Sequence, residues 1–344
     1  MKRPPVYLDH AATTPVLPQV AQVVMEAFGQ WANPSSQHAA GRKARAALEE
    51  ARARVAKALD WDGEVIFTSG ASEALALGWG RSQALRRVAS GVEHAAVSRL
   101  AEGGVPLPVN ALGLVEADAL SAADLIAVQQ VNNETGVVQD GAALGQAIHA
   151  KGAIWLADCA QGAGKIALPP ADMVAIAGHK FGAPVGVGAL LVRSLGLLSP
   201  SGGQERGYRS GTENLPLILG LATALEADRG WLEDAAALRA WFEGEMRGLG
   251  AQIIAEGAER IPTIGAYRFA GRNATQVLIR ADMAGIAISS GAACSSGSIK
   301  PSPTLLAMGY SEAEAREVFR VSIGHETQRG DLEALLDVLR KVVA

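Results

Sequence analysis

The first half of the chain alternates short, continuous apolar runs with segments that have a helical period. Residues 40–60 place apolar positions at the spacing of an amphipathic helix. Five apolar runs read as strands: EVIFT, DLIAV, AIWLAD, DMVAIA and VGVGALLVR. Strands that are apolar throughout are typical of a sheet covered on both faces. The alternation with helices therefore predicts an α/β fold with a mainly parallel sheet.

The pattern changes in the second half. Helical periodicity dominates from residue 215 to 249, and strands and helices then mix differently over the last hundred residues. Ser311 and Glu314 have the spacing of a capping box, and the last fifteen residues form an amphipathic helical pattern. We therefore predict a large α/β domain at 14–235 and a smaller α+β domain made of 1–13 plus 236–344.

Composition narrows the class of protein. The chain has 344 residues, 49% hydrophobic and 19% charged, with a net charge of −4, so charge gives no reason to expect a nucleic-acid partner. Two cysteines exclude a disulfide framework and indicate a reducing compartment. The N-terminus does not read as a signal peptide, and no apolar run approaches the length of a membrane span. We expect a soluble, cytoplasmic protein without membrane association.

Polar residues follow the predicted strands, where parallel sheets bind their ligands. They are Ser69 to Ser72, His94, Asn133, Asp158 with Gln161, and His179 with Lys180. Each has an ordinary structural explanation, such as a helix cap or a solvated charge. Together they place an imidazole, a carboxylate, an amine, amides and a turn suited to phosphate at one edge of the sheet.

This combination matches the needs of pyridoxal phosphate. That cofactor requires a lysine for a Schiff base, an acid opposite its ring nitrogen, and an anion cradle. Lys180, Asp158 and Ser72 fit these needs, and His94 could stack on the ring. The sequence has no P-loop motif and no dinucleotide-binding glycine motif after a strand. His and Cys show no metal-ligand spacing, so no metal site is predicted.

Cys294 lies in SSGAACSSGS, where Ser, Gly and Ala give a thiol little to pack against. A cysteine in such a segment favours a chemical role over a packing role.

These residues belong to a longer series of motifs. The series, in chain order, is YLDHAATTPV, NPSSQH, FTSGASE, EHAAV, VNNETGVVQD, DCAQ, GHK, ERGYRSGT, SSGAACSS and FRVSIG. In this order they resemble the cysteine desulfurases of the NifS/IscS type, which are class V, fold-type I pyridoxal phosphate enzymes. The resemblance covers nearly the whole chain, and the SSGxxCxS form is similar to the branch whose catalytic cysteine lies on a long mobile loop.

The resemblance implies the roles of the site residues. Lys180 would bind the cofactor covalently, His94 would stack on its ring and move protons, and Cys294 would be the nucleophile. Asp158 would pair with the ring nitrogen and Gln161 with the phenolic oxygen. The other cofactor contacts would be Ala71, Ser72, His179, Asn133 and, from a second subunit, Thr212. Arg320 and Asn133 would hold the substrate carboxylate.

The implied reaction removes sulfur from L-cysteine, gives alanine, and leaves a persulfide on Cys294. A homodimer is implied, and so is a sulfur-acceptor protein of unknown identity that serves iron–sulfur assembly or tRNA thiolation.

The chain departs from the family pattern at several positions. Ala177 stands where Ser is usual before GHK, Ser72 where Thr is common, and Leu75 where a polar residue is common. Cys159, next to Asp158, is expected to be a buried packing residue. Two alternatives stay open: another class V reaction (an aminotransferase, or a selenocysteine or cysteine-sulfinate lyase) and a catalytically silent scaffold.

Overall fold

A computed structural model describes residues 5–30, 32–120, 122–290 and 301–343. The strands within these ranges are β1 (Val6–Tyr7), β2 (Glu64–Thr68), β3 (Arg87–Ala89), β4 (Leu125–Ala127), β5 (Ile154–Asp158), β6 (Met173–Ala177), β7 (Gly188–Val192), β8 (Gln252–Ile253), β9 (Ile264–Arg268), β10 (Ile286–Ala287) and β11 (Val318–Ser322). The α-helices are α1 (Pro18–Phe28), α2 (Ala39–Ala58), α3 (Ala71–Arg81), α4 (Ala95–Ser98), α5 (Gly141–Ala150), α6 (Leu215–Leu225), α7 (Trp231–Gly248), α8 (Ala274–Met283), α9 (Pro303–Ala307), α10 (Glu312–Ala315) and α11 (Arg329–Val343). None of the described helices is long and apolar enough to cross a membrane.

The central sheet has the strand order β2-β7-β6-β5-β4-β3. The four strands from β6 to β3 pair in parallel, whereas β7 pairs antiparallel with both β2 and β6. The direction of β7 follows from its connection, because only residues 178–187 separate it from β6. A parallel crossover needs a dozen or more residues, so the chain turns back and β7 runs against its neighbours.

Both faces of this sheet are buried, as its apolar strands predict. Along β5, Trp155 and Ala157 join a core that also contains residues of α1, α2 and α6, while Leu156 points into a second core under α3. The alternation follows from the two-residue period of a strand. Covered faces leave the ends of the strands as the accessible part of the sheet.

A second sheet, of order β11-β9-β8, is antiparallel. It packs with α7, α8 and α11 around Phe242, Tyr267 and Phe319, and the N-terminal residues Val6 and Leu8 join the same core. A domain division near residue 235 stays a prediction. The separate core around this sheet is the feature that such a division requires.

Candidate active site

A cleft of about 440 Å³ opens where the parallel strands of the central sheet end. Nine of the residues expected from the sequence line it: Ala71, Ser72, His94, Asn133, Asp158, Gln161, His179, Lys180 and Arg320. The volume is typical of small-molecule sites.

Two expected residues are not part of this set. Thr212 is exposed and does not line the cleft of its own chain. Cys294 lies at 291–300, outside the described residues. Their roles stay predictions.

The anion cradle begins where β2 turns into α3. Ala71 and Ser72 are the first two residues of this eleven-residue helix, so its N-terminal amides face the cleft. Glu73, in the same turn, accepts a hydrogen bond from the Ser69 amide and pairs with Arg209 at 2.8 Å. The Arg209 guanidinium therefore neutralises the charge of Glu73, the acidic residue in the first turn of α3.

Asp158 ends β5 and is 7% exposed. Its Oδ1 accepts a hydrogen bond from the Ala160 amide at 2.9 Å. Burial raises the pKa of this carboxyl, and that amide, His94 and Lys180 act in the opposite direction. A cation beside Asp158 would therefore be strongly favoured.

His94 precedes α4, and its Nδ1 accepts a hydrogen bond from the Ala96 amide at 3.2 Å. This bond leaves Nε2 as the nitrogen that carries the proton. Burial lowers the pKa of His94, Lys180 and Arg99 lower it further, and Asp158 raises it. The ring is therefore neutral at neutral pH, which suits a group that stacks on a ligand ring.

Lys180 stands in the single helical turn after β6. Its Nζ donates to the backbone oxygens of Ala11 and Ala12 at 2.7 and 2.8 Å. The neighbouring His179 bonds Thr13 Oγ1 through Nδ1, and burial together with Lys180 lowers the pKa of His179 to about 4. Both side chains are thus held by the N-terminal segment.

Gln161 is held by that segment as well. Its Nε2 donates to the Ala11 oxygen at 2.8 Å, while Oε1 is buried and has no hydrogen-bond partner among the described residues. A buried polar atom without a partner at the wall of a cleft indicates a place for a ligand or water.

Arg320 reaches the cleft from β11. It is 4% exposed, and its terminal nitrogens donate to the Asn133 oxygen and to Asp9 Oδ1, each at 2.7 Å. Residue 289, just before the segment that contains Cys294, forms a β-bridge with Arg320 and also lines the cleft. After that segment, Ser302 Oγ donates to the buried carboxylate of Glu134. The described residues on either side, Ser289 and Ser302, are thus bonded to Arg320 and Glu134.

Sequence reasoning missed the N-terminal contribution to this cleft. Asp9, Ala11 and Ala12 line it and hold Arg320, Lys180 and Gln161. The segment DHAATT follows an apolar run, so Asp9 was an available signal. The three hydrogen bonds to Lys180 and Gln161 use backbone oxygens, which carry no sequence signature.

The departures from the family pattern have clear structural settings. Ala177 lines the cleft with a methyl group, and Leu75, on the buried face of α3, also borders it. Cys159 is also fully buried, which confirms its packing role, and burial raises the pKa of its thiol well above the usual range. A thiol in this state is a poor nucleophile.

The fold and the cleft define an α/β enzyme whose site combines a lysine, a carboxylate and an imidazole at strand ends. The sequence pattern of the aminotransferase class-V family matches residues 6–335, and the chain belongs to this family.

Relatives agree along the full length. The chain is 34% identical to a cysteine desulfurase of Cereibacter sphaeroides over 98% of this chain and 95% of that protein. It is 36% identical to an IscS-like cysteine desulfurase of Mycobacterium tuberculosis over 98% and 96%. A solved NifS-like protein of Rickettsia africae superimposes with a TM-score of 0.88 at 28% identity, over 98% of this chain and 99% of that one. The expected fold-type I α/β class is confirmed.

Proposed function

We propose that the protein is a pyridoxal phosphate-dependent cysteine desulfurase. The observation that carries this proposal is the meeting of Lys180, Asp158 and His94 with Arg320 in one cleft. The first three suit a lysine-bound pyridine cofactor, and the arginine suits the carboxylate of an amino acid. The full-length similarity to cysteine desulfurases selects the reaction from among those of the family.

The residues present fit pyridoxal phosphate. Lys180 supplies the amine, Asp158 supplies a buried carboxylate that favours a protonated ring nitrogen, and His94 supplies a neutral ring. The first turn of α3, with Ser72 and His179 nearby, suits a phosphate group, and Gln161 suits the phenolic oxygen. Ala177 offers no hydroxyl, so the cradle relies on backbone amides and these side chains. When bound, the cofactor withdraws electrons from the substrate carbon that carries the amino group.

The protein's own groups then bind the substrate and move its protons. Arg320, with Asn133 beside it, holds the substrate carboxylate through its planar fork. The Lys180 amine removes the proton from the substrate α-carbon and returns one later in the cycle. Neutral His94 carries its proton at Nε2 and can donate a hydrogen bond there, because its Nδ1 already accepts from the Ala96 amide.

Cys294 supplies the nucleophile. Its thiolate attacks the sulfur of bound L-cysteine; an S–S bond forms while the substrate C–S bond breaks. The electron pair of the broken bond stays with the carbon fragment, which is protonated and leaves as L-alanine. The persulfide on Cys294 is then passed to an acceptor protein, for iron–sulfur assembly or tRNA thiolation. Cys294 is five positions after Ser289, which forms a β-bridge with Arg320 at the wall of the cleft.

The proposal includes a cytoplasmic homodimer in which Thr212 of one subunit contacts the cofactor of the other. The exposure of Thr212 and its absence from its own cleft support this part of the proposal.

A turnover assay tests the proposal. Purified protein is incubated with L-cysteine and a thiol reductant, and alanine and sulfide are quantified together. We expect equal amounts of both products and a visible absorbance band that is lost in Lys180→Ala. The matched control is Lys165→Ala, which removes a lysine that lines a small neighbouring cavity but not the cleft, and it should retain the band. A cofactor-loaded protein that forms alanine without sulfide, or neither product, would contradict desulfuration.

A further inference from the structure

Asp9 lies against the guanidinium of Arg320 at the wall of the cleft. Its Oδ1 accepts a hydrogen bond from Arg320 Nη2 at 2.7 Å. At the other terminal nitrogen, Nη1 donates to the Asn133 oxygen, also at 2.7 Å. All three residues line the cleft. The fork of Arg320 is therefore held at both tips by the protein itself.

These two bonds determine which donors are left for a ligand. A guanidinium has five N–H groups, and two of them are used here. Nε is buried and has no partner within the described part of the chain. The remaining N–H groups on Nη1 and Nη2 are thus the ones that can meet a carboxylate in the cleft.

Asp9 is itself a rigid support. The residue before it, Leu8, is fully buried and bonds the Ala287 oxygen through its amide, and Asp9 forms a β-bridge with Ser322. The Tyr7 hydroxyl donates to the Asp9 backbone oxygen at 3.1 Å. The carboxylate therefore projects from a segment fixed by β10 and β11.

The charge of Asp9 also matters to a buried arginine. The side chain of Arg320 is 5% exposed and that of Asp9 is 21% exposed. A buried cation without a counterion is costly, and a partner that both neutralises and orients it lowers that cost. Because the orientation is set beforehand, a ligand does not have to order the arginine side chain when it binds.

We propose that Asp9 positions Arg320 for the carboxylate of an amino-acid substrate. This inference rests on the role of Arg320 in the proposed function. Asp9 acts through Arg320 and does not itself contact the reacting atoms. It fixes the edge of the guanidinium that faces the cleft.

Two substitutions separate orientation from folding. Asp9→Ala removes the acceptor, so the half-saturation concentration for L-cysteine should rise about tenfold while kcat changes less than about threefold. Asp9→Asn keeps an oxygen acceptor for Nη2 but loses the charge, so it should recover part of the affinity.

The test uses the cofactor-loaded protein and two readouts. L-Alanine, which carries the carboxylate but no sulfur, is titrated while the cofactor absorbance is followed, and L-cysteine turnover is measured in parallel. The control is Asp337→Ala, because Asp337 also pairs with an arginine, Arg340, at 2.8 Å but on the exposed surface of α11. Thermal unfolding establishes that each variant is folded.

We expect weaker L-alanine binding in Asp9→Ala, partial recovery in Asp9→Asn, and no change in Asp337→Ala. Unchanged L-alanine affinity in Asp9→Ala, an equal loss in Asp9→Asn, or a loss of kcat alone would overturn the inference. A protein that binds L-alanine in an Asp9-dependent way but releases no alanine from L-cysteine would contradict desulfuration and keep the inference. Turnover of L-cysteine with the same half-saturation concentration in wild type and in Asp9→Ala would overturn the inference and leave desulfuration standing.

Discussion

At and beside the cleft, burial largely sets the ionisation states of single residues. Glu93, next to His94, is buried: its Oε1 accepts hydrogen bonds from Ser90 and from the Gln129 amide, and Oε2 has no partner among the described residues. Burial raises the pKa of Glu93 to about 8, and Asp158 contributes in the same direction. The side chain is therefore a neutral acid under most conditions.

This shift makes stability depend on pH. Between pH 4.5 and about 8, Glu93 is protonated in the folded chain and ionised in the unfolded chain. In this range the unfolded state binds fewer protons than the folded state, so stability falls as the pH rises. The stability that Glu93 contributes is complete below pH 4.5 and is lost as the pH approaches 8. Glu93→Gln should therefore raise the free energy of unfolding relative to wild type, by an amount that grows from pH 5 to pH 8 and reaches about 4 kcal/mol.

Denaturant unfolding at several pH values measures this difference. Glu102→Gln is the control, because Glu102 is exposed. A difference between Glu93→Gln and wild type that does not vary with pH would show that Glu93 is already ionised in the folded chain.

The polar residues at the strand ends could be predicted as site residues, because each of them follows an apolar run. These residues line the cleft, and so does Arg320, which only the family resemblance predicts. Partners far apart in sequence could not be predicted. Residues 50 and 54 have the spacing of a favourable helical ion pair, yet Arg54 pairs with Glu226 at 2.6 Å. Asp9 and Arg320 are separated by 311 positions, and only the folded chain shows that they touch.

At the scale of elements, one buried ion pair links α2, β2 and the turn at residues 205–207. Arg52 on α2 donates two hydrogen bonds to the carboxylate of Glu205, and the same carboxylate accepts from the Phe67 amide on β2. Arg52 also lies over the Phe67 ring. Because β2 leads directly into α3, this cluster supports the strand that presents the anion cradle.

Breaking this cluster should destabilise the protein. Glu205→Gln removes the fully buried partner of Arg52 and leaves the partly exposed Glu49 as its remaining counterion. We expect the free energy of unfolding to fall by about 3 kcal/mol. Glu226→Gln breaks the exposed pair with Arg54 and should cost less than about 1 kcal/mol. Denaturant unfolding compares the two, and equal losses would contradict a special role for the buried pair.

Local signals predicted most elements well. The helix expected at 40–60 is Ala39–Ala58, and the capping box of Ser311 and Glu314 is confirmed at the start of α10. The direction of β7 was not available from its apolar pattern, since the same residues suit either direction. The length of the preceding connection determines it.

At the scale of the whole molecule, the cleft is assembled from distant parts of the chain. The N-terminal segment bonds Lys180, Gln161 and Arg320, so both sheets contribute to one site. Thr212, which the resemblance places at the cofactor, is exposed and does not line the cleft of its own chain. A shared site in a homodimer is the arrangement proposed for it.

Mixed dimers test this arrangement. A dimer of one Lys180→Ala chain and one Thr212→Ala chain contains one intact site if Thr212 serves the partner. We expect such mixed dimers to bind cofactor at half of the sites with wild-type affinity. If Thr212 served its own chain, both sites would carry a defect and no wild-type affinity would be recovered.

The central claim is that sulfur leaves the substrate through Cys294. The most direct measurement is the intact mass of the cofactor-loaded protein after L-cysteine is added without reductant, followed by peptide mapping. We predict one added sulfur atom on Cys294 in wild type and in Cys159→Ala, and none in Cys294→Ala, which still binds the cofactor. Sulfur on Cys159, or alanine formation without any sulfur on the protein, would contradict the account.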